Sequence, residues 1–475
     1  MKQLVISLVI FFTISGLALA ADSPKANPRS MTFPDLRFDI PKAERVVLEC
    51  GMPVYLLRDP ELPIINIAAM VRTGSVYEPE AKTGLASLAG SVMRSGGAGG
   101  LLPEKMDDEL EFMASSVESS IGSDMGTVSL TTLTKNFSRT LQIFSDVLLR
   151  PDFNEKRVEI ARRHLIEGLR RQNDDPKDIA GREIIRAIYA GHPLGRVLTF
   201  KSAGSIARRD MIDFHRRYFR VDNMIMAIAG DFDRKSLLGE LNAVFRKPAA
   251  MPPPLALPEI PQPPEEFKPE IIYGRKDTNQ TVIRMGHLGI TKDNPDIYAL
   301  RVLNYILGGS FTSRLTMEIR TNQGLAYSID SSFDAGRRFT GSFIAETETK
   351  AESTVKAISL MKEIITGMTK EPVTDQELKT AQEYIVNSFM FGFTSPASIA
   401  TQRARLEFYG YPAGYLEEYR DSISRVTKAQ LLAAAKKYLR PGDFKLVVVG
   451  DAGKFDKQLS LLGSVRELDL KQPMP

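Results

Sequence analysis

The alternation of apolar and polar residues along the chain marks short strands and longer helices. Val54 to Leu57 and Ile64 to Val71 read as strands, and Val117 to Ile121 and Thr127 to Thr134 alternate as an antiparallel pair. Gly84 to Met93 has helical spacing. Pro103 to Ala114 is a second helix, with proline near its start, where a missing amide donor costs little. Asn136 to Leu148 and Asn154 to Arg171 continue the helical pattern. Strands with helices following in blocks predict an α+β fold, a mainly antiparallel sheet covered on one face by helices.

The pattern then repeats. Met224-Ile225-Met226-Ala227-Ile228-Ala229-Gly230-Asp231 and Lys445-Leu446-Val447-Val448-Val449-Gly450-Asp451 are both short apolar strands stopped by Gly-Asp. Each follows a helix with an aromatic residue near its end, Tyr218-Phe219 and Tyr438-Leu439, and each half opens with a strand pair and then a helix. A duplicated unit is the simplest account. Residues 248–270 separate the halves and are rich in proline, which removes amide donors and disfavours both helix and central strand. They are expected to form a stiff linker. The expected division is an N-terminal domain at 36–247, the linker at 248–270 and a C-terminal domain at 271–465.

The N-terminus stands apart. Lys2, the apolar stretch Leu4 to Leu19 and the small residues of Leu17-Ala18-Leu19-Ala20 read as a secretory signal peptide over 1–20, followed by a polar lead-in over 21–35. The apolar stretch is short for a span, which needs about 20 residues. An exported, periplasmic or secreted protein is expected, with no membrane span after cleavage. Cys50 is the only cysteine, so no intrachain disulfide is possible.

Composition narrows the function. Of 475 residues, 43% are hydrophobic and 25% charged, the balance of a soluble globular protein with room for two cores. A net charge of +4 speaks against a dedicated nucleic-acid binder. Paired arginines between Arg157 and Arg220 are expected to lie on solvated helix faces. The four histidines, His164, His192, His215 and His287, leave few donors for a metal. His164 and Glu167 stand at helical i, i+3, but a surface or packing histidine is the expectation. His215 lies on an arginine-rich helix and is expected to be solvated.

The run Gly74-Ser75-Val76-Tyr77-Glu78 to Lys82-Thr83-Gly84-Leu85-Ala86 resembles the insulinase, or pitrilysin-like, zinc peptidase family. There Gly-Leu-Ala leads into His-x-x-Glu-His on a helix, two imidazoles and a general base, with a further Glu ligand on a later helix. This chain departs at each place. Ser87 and Ser91 replace the histidines, Gly90 replaces the Glu, and Gly168 falls at the third-ligand position, with Glu167 about 100° away around the helix. No metal is therefore expected in this chain. Neither serine sits in Gly-x-Ser-x-Gly or near a Lys or His, so both are expected to be small packing residues. Gly90 costs its helix roughly 1 kcal/mol relative to Ala, so tertiary packing must hold that helix. His192-Pro193-Leu194-Gly195 resembles a turn that is structural in the family.

The second half keeps the family's C-terminal signature. Leu307-Gly308-Gly309-Ser310-Phe311-Thr312-Ser313-Arg314-Leu315 leads to Glu318-Ile319-Arg320 and then to Gly324-Leu325-Ala326-Tyr327-Ser328. In the family an Arg and a Tyr with the spacing of Arg320 and Tyr327 contact bound peptide. The bland alternative is that Arg320 caps a helix or pairs with Glu318 while Tyr327 fills a sheet; Arg314 is expected to be structural. A strand near Val117 to Ser123 is implied as an edge that pairs with peptide. The resemblance, over about residues 36 to 460, implies a clam of two homologous domains. It also implies the non-catalytic, peptide-binding subunit of a heterodimer whose zinc-binding paralogue carries His-x-x-Glu-His, so that the chain is inactive alone. The rival readings are a structural core-type protein of the same fold and an active hydrolase with a relocated site.

Overall fold

The computed structural model describes residues 39–246, 255–264 and 268–471. The signal peptide and the lead-in expected at 1–35, and parts of the expected linker, lie outside the described residues.

The first half builds a six-stranded sheet from β1 (Glu44–Val47), β2 (Pro53–Arg58), β3 (Ile64–Val71), β4 (Ser116–Ile121), β5 (Gly126–Leu133) and β6 (Met224–Gly230), in the order β1-β2-β6-β3-β5-β4. The second half contributes β7 (Glu270–Arg275), β8 (Gln280–Leu288), β9 (Ile290–Thr291), β10 (Ala326–Phe333), β11 (Ala335–Gly336), β12 (Ser342–Lys350), β13 (Lys445–Gly450) and β14 (Val465–Leu468). Six of these form a sheet in the order β10-β12-β8-β13-β7-β14, and β9 and β11 make a short parallel pair. The run β2-β6-β3-β5-β4 is reproduced as β7-β13-β8-β12-β10. The two Gly-terminated strands, β6 and β13, each run parallel to the first strand of that run and antiparallel to the next. Duplication is thus written in connectivity as well as in sequence, and β4 and β10 are equivalent outer strands.

Each sheet carries helices of its own half on one face. In the first half Leu85, Leu88 and Val92 of helix Leu85–Ser95 and Phe144 and Val147 of helix Phe137–Leu149 join the core with Ile67, Val117 and Val128. In the second half Leu300 and Leu303 of helix Ile297–Leu307 and Ile358 and Met361 of helix Thr354–Lys370 pack with Ile283, Phe343 and Val448. The opposite faces are covered by exchange. Ile179, Ile184 and Ile188 of the first half's helix Pro176–Ile188 lie against Ile272, Val282 and Val447 of the second sheet. Ala400, Ala404 and Phe408 of the second half's helix Pro396–Phe408 lie against Met70, Ile225 and Ala227 of the first. Small residues at Ala400 and Ala404 let that helix sit close to the strands. The chain is therefore two sheet-plus-helix domains, the α+β clam that the resemblance implies, and each domain supplies one layer of the other.

His215 corrects an expectation. It is only 5% exposed, not solvated. Its Nε2 donates to the Leu148 carbonyl at 3.0 Å and its ring stacks on Phe219. The arginines on either side made the helix look fully wetted, but position 215 falls on its buried stripe with Met211, Phe214 and Tyr218. His287, in β8, is fully buried between Phe343 and Phe444. Its Nδ1 bonds the Leu288 carbonyl and its Nε2 accepts the Arg440 amide, which fixes a neutral imidazole. Burial lowers the pKa of both to about 4. An unfolded chain takes up these protons near pH 6.5, so the stabilisation is complete above that value and is lost as pH falls from 6.5 towards 4. The expected loss is about 3 kcal/mol per histidine. Urea unfolding across this range should show it, and the double variant His215→Phe with His287→Phe should flatten the slope.

Candidate functional site

The sequence singles out two regions, and the structure treats them differently. Helix Leu85–Ser95 carries Ser87, Gly90 and Ser91. Its start is fixed by Glu78, 4% exposed, whose carboxylate accepts the amides of Gly84 and Ala86 at 2.9 Å each. This supplies the cap that no neighbouring side chain provides. Burial pushes the Glu78 pKa up, against the pull of those amides.

Ser87 and Ser91 are exposed, contrary to the expectation that they pack. The apolar face of this helix is complete with Leu85, Leu88, Ala89 and Val92, and the serines fall on the other side. The Ser91 hydroxyl is spent on the Leu88 carbonyl at 3.0 Å. Gly90 is the packing residue. A Cβ there would lie 2.5 Å from the Ile121 amide nitrogen and 2.9 Å from the Ser120 carbonyl carbon. The outer strand β4 is laced down onto the helix at this point. Ser119 Oγ donates to the Gly90 carbonyl at 2.7 Å, and Arg94 Nε donates to the Val117 carbonyl at 3.2 Å.

Gly168 stands on the exposed side of helix Glu155–Arg171, with open space where its Cβ would be. Glu167 is engaged by Arg170 and Arg171 at 3.1 and 3.2 Å. His164 is exposed. Among the described residues no group of three or more His, Cys, Asp or Glu is placed to hold a metal ion. Two hydroxyls at Ser87 and Ser91, with no side chain at Gly90 or Gly168, do not fit the zinc of the family, which takes imidazole and carboxylate donors.

The expected peptide strand near Val117 to Ser123 is the outer strand of its sheet, as the resemblance implies. Several of its acceptors are already used. The Val117 carbonyl takes Arg94, and the Gly122 and Ser123 carbonyls take the amides of Ser75 and Val76 at 3.0 and 3.1 Å.

The second region is built on two backbone irregularities. Arg320 sits on a π-helical stretch, Thr316–Asn322, a rare and widened winding that recurs at functional sites. Tyr327 sits in β10 where the register against β12 slips, Ala326 facing Thr349 but Ile329 facing Thr347. That bulge re-aims its side chain. The carbonyls it displaces are satisfied, Leu325 by the Thr349 hydroxyl at 2.7 Å and Ser328 by the Thr347 hydroxyl at 2.8 Å.

Together these devices bring Arg320 and Tyr327 into contact. The Arg320 Cζ lies 5.2 Å from the centre of the Tyr327 ring and 5.4 Å from that of Phe311. Both rings are unusually exposed, Tyr327 at 84% and Phe311 at 80%. Arg320 makes no ion pair with Glu318, whose carboxylate instead takes the amides of Asn322 and Gln323 at 2.8 and 3.0 Å. The bland alternative therefore does not describe this pair. Tyr327 fills no sheet core, and the Arg320 guanidinium is positioned by rings while its N–H edge is unspent among the described residues. Arg314 is structural as expected, held by Glu377 at 2.7 and 2.9 Å, a bond that lowers the Glu377 pKa to about 2.

Sequence reasoning missed Phe311, which lies inside the signature but was read only as part of its spacing. It also missed Tyr305 and Tyr384, on separate helices beside the pair, with ring centres 4.8 Å apart.

Two sheet-plus-helix domains, the second bearing an exposed Tyr327 on its outer strand with Arg320 of the adjoining π-helical stretch against its ring, define a peptidase-like clam. Residues 54–200 match the family described as insulinase (peptidase family M16), and residues 205–385 match the peptidase M16 inactive domain. The chain belongs to peptidase family M16. It is 21% identical over 412 residues to the "Uncharacterized zinc protease YmxG" of Bacillus subtilis, covering 86% of this chain and 98% of that one. It is 23% identical over 416 residues to the "Non-peptidase homolog YmxG" of Helicobacter pylori, covering 86% and 93%. The crystal structure of a peptidase M16 inactive domain from Pseudomonas fluorescens superposes with a TM-score of 0.78 at 26% identity, covering 86% of this chain and 98% of that one. These likenesses and the degenerate metal positions fit a non-catalytic member of the family.

Proposed function

We propose that this chain is the exported, non-catalytic, substrate-binding subunit of a heterodimeric zinc metallopeptidase. Its partner is a zinc-binding paralogue of the same family with an intact His-x-x-Glu-His motif. One observation carries the reading: Arg320 is held between two exposed rings with its donor edge unspent among the described residues, beside the hydroxyl of Tyr327, while the places of the zinc ligands hold two serines and a glycine and the place of the base holds another glycine. A guanidinium presents a fixed fork of donors to a peptide carbonyl or carboxylate and stays charged. A tyrosine hydroxyl donates to a scissile carbonyl oxygen as negative charge develops on it. The metal and the base come from the partner in this reading, and this chain grips and orients the peptide.

The signal-peptide pattern read in residues 1–20 of the sequence supports export, and no described helix is long and apolar enough to cross a membrane. Fractionation of cells expressing the full chain should find it cleaved and outside the cytoplasm; an uncleaved cytoplasmic product would contradict that part. The function is tested with a paralogue from the same genome that carries His-x-x-Glu-His. Mixing the two mature chains should raise cleavage of an unfolded-protein substrate about 100-fold over the paralogue alone, the scale that substrate positioning supplies. No gain on mixing would contradict the assigned role and favour the structural reading.

A further inference from the structure

We infer that the cleft beside Arg320 is a subsite for an aromatic side chain lying next to a carboxylate. The inference rests on the peptide-binding reading above and names the class of peptide.

The cleft has a volume of about 510 Å³, within the range of small-ligand sites. Its apolar wall is made by Tyr305, Phe311, Ile329 and Tyr384, and its polar groups include Arg320 and Asp330. Tyr305 and Tyr384 form a tilted pair at 33°. Tyr384 is 57% exposed, so with Phe311 it leaves ring surface open to water at the mouth. Exposed apolar area gathered in one concavity marks a binding surface. Rings favour another ring there over an aliphatic group, because edge-to-face and offset contacts add attraction beyond area burial.

The charges choose the neighbour. Phe311 and Tyr327 lie against the Arg320 guanidinium, and ring contacts of this kind leave in-plane N–H groups for a carboxylate. Asp330 lines the same cleft, and its carboxyl has Glu346 as its cross-strand partner, which is itself paired with Arg284 at 2.8 Å. The cleft therefore holds one available cation and one anion. That balance suits a ligand with a single carboxylate and disfavours a polyacid. The carboxylate can be an acidic side chain or a chain terminus; the chemistry is shared.

The test titrates the mature full-length chain with short peptides by calorimetry. Acetyl-Ala-Ala-Phe-Asp-Ala-amide is compared with its Leu-Asp and Phe-Asn counterparts, and acetyl-Ala-Ala-Phe with a free terminus is compared with its amide. The Phe-Asp peptide should bind about tenfold tighter than Leu-Asp and about tenfold tighter than Phe-Asn. A preference for the free terminus over its amide of similar size would assign the carboxylate to the chain end instead of the side chain. Tyr384→Leu should abolish the Phe preference and keep the Asp preference. Arg320→Gln should do the reverse. Both side chains are outside the core, and unchanged thermal unfolding checks the fold. Tight binding that depends on Arg320 but is indifferent to the ring overturns the subsite and leaves the peptide-binding reading standing. Absence of binding by every peptide, or binding indifferent to Arg320, overturns both.

Discussion

In the proposed complex with a zinc-bearing paralogue, Tyr327→Phe should lower kcat for peptide cleavage by about 10²–10³-fold, the usual effect of removing one donor to a developing oxyanion. Arg320→Ala should raise KM by about 10–100-fold, since a charged hydrogen bond to bound peptide contributes about 1.5–3 kcal/mol. The split follows from position. Tyr327 offers a hydroxyl, which matters most when charge builds up, whereas Arg320 offers a permanent cation to ground state and transition state alike. Arg320→Lys should recover only part of the loss, because an ammonium keeps the charge but not the planar fork. None of the three variants should unfold the chain. Tyr327 is 84% exposed, and Arg320 has no ion pair among the described residues. Steady-state kinetics of the mixed subunits, with circular dichroism as the fold check, reads all three. Kinetics unchanged in both Tyr327→Phe and Arg320→Ala would remove these residues from the peptide site.

The second large effect is at Gly90. Restoring the family's motif in this chain should fail at that one position. Ser87→His and Ser91→His should change stability by less than about 0.5 kcal/mol, because both serines face solvent. Gly90→Ala should cost about 2–3 kcal/mol despite its better helix propensity, because the added Cβ meets the Ile121 backbone at 2.5 Å, where no flexible side chain can give way. Gly90→Glu should cost more and loosen β4 from its helix. Urea unfolding of the single variants measures this. A Gly90→Ala protein as stable as the parent would show that the strand and helix are not closely packed there. The physical meaning is that the strand and helix are in backbone-to-backbone contact at Gly90. With no Cβ at residue 90 the outer strand lies directly on the helix, and several backbone acceptors of that hairpin are occupied by Arg94, Ser75 and Val76.

The strands were legible because period-two patterning is strong where one face is buried. Ile64 to Val71 and Val117 to Ile121 appear almost at the predicted bounds. The duplication was legible from the two Gly-terminated strands, which prove to be equivalent members of the two sheets. Helix exchange was not legible. An apolar stripe on helix Pro396–Phe408 says that it packs, but nothing in the stripe says on which sheet, and its partners Met70 and Ile225 lie far away in sequence. His215 was misjudged because charged residues flank the buried stripe of a short helix. Ser87 and Ser91 were misjudged because a small side chain fits either face. At the candidate site the Arg–Tyr spacing was visible, but the means of bringing the two together was not. A π-helical turn and a β-bulge leave no residue signature of their own, and the aromatic wall of Tyr305 and Tyr384 is assembled from separate helices.

Zinc content and peptide hydrolysis of the mature chain, purified without any companion, bear most directly on the proposal that this chain holds no zinc of its own. The expected result is less than about 0.1 zinc per chain and no hydrolysis that a chelator abolishes, as befits hydroxyl and glycine positions that lack the imidazole and carboxylate donors of a catalytic zinc. Stoichiometric zinc together with chelator-sensitive cleavage by the isolated chain would contradict it.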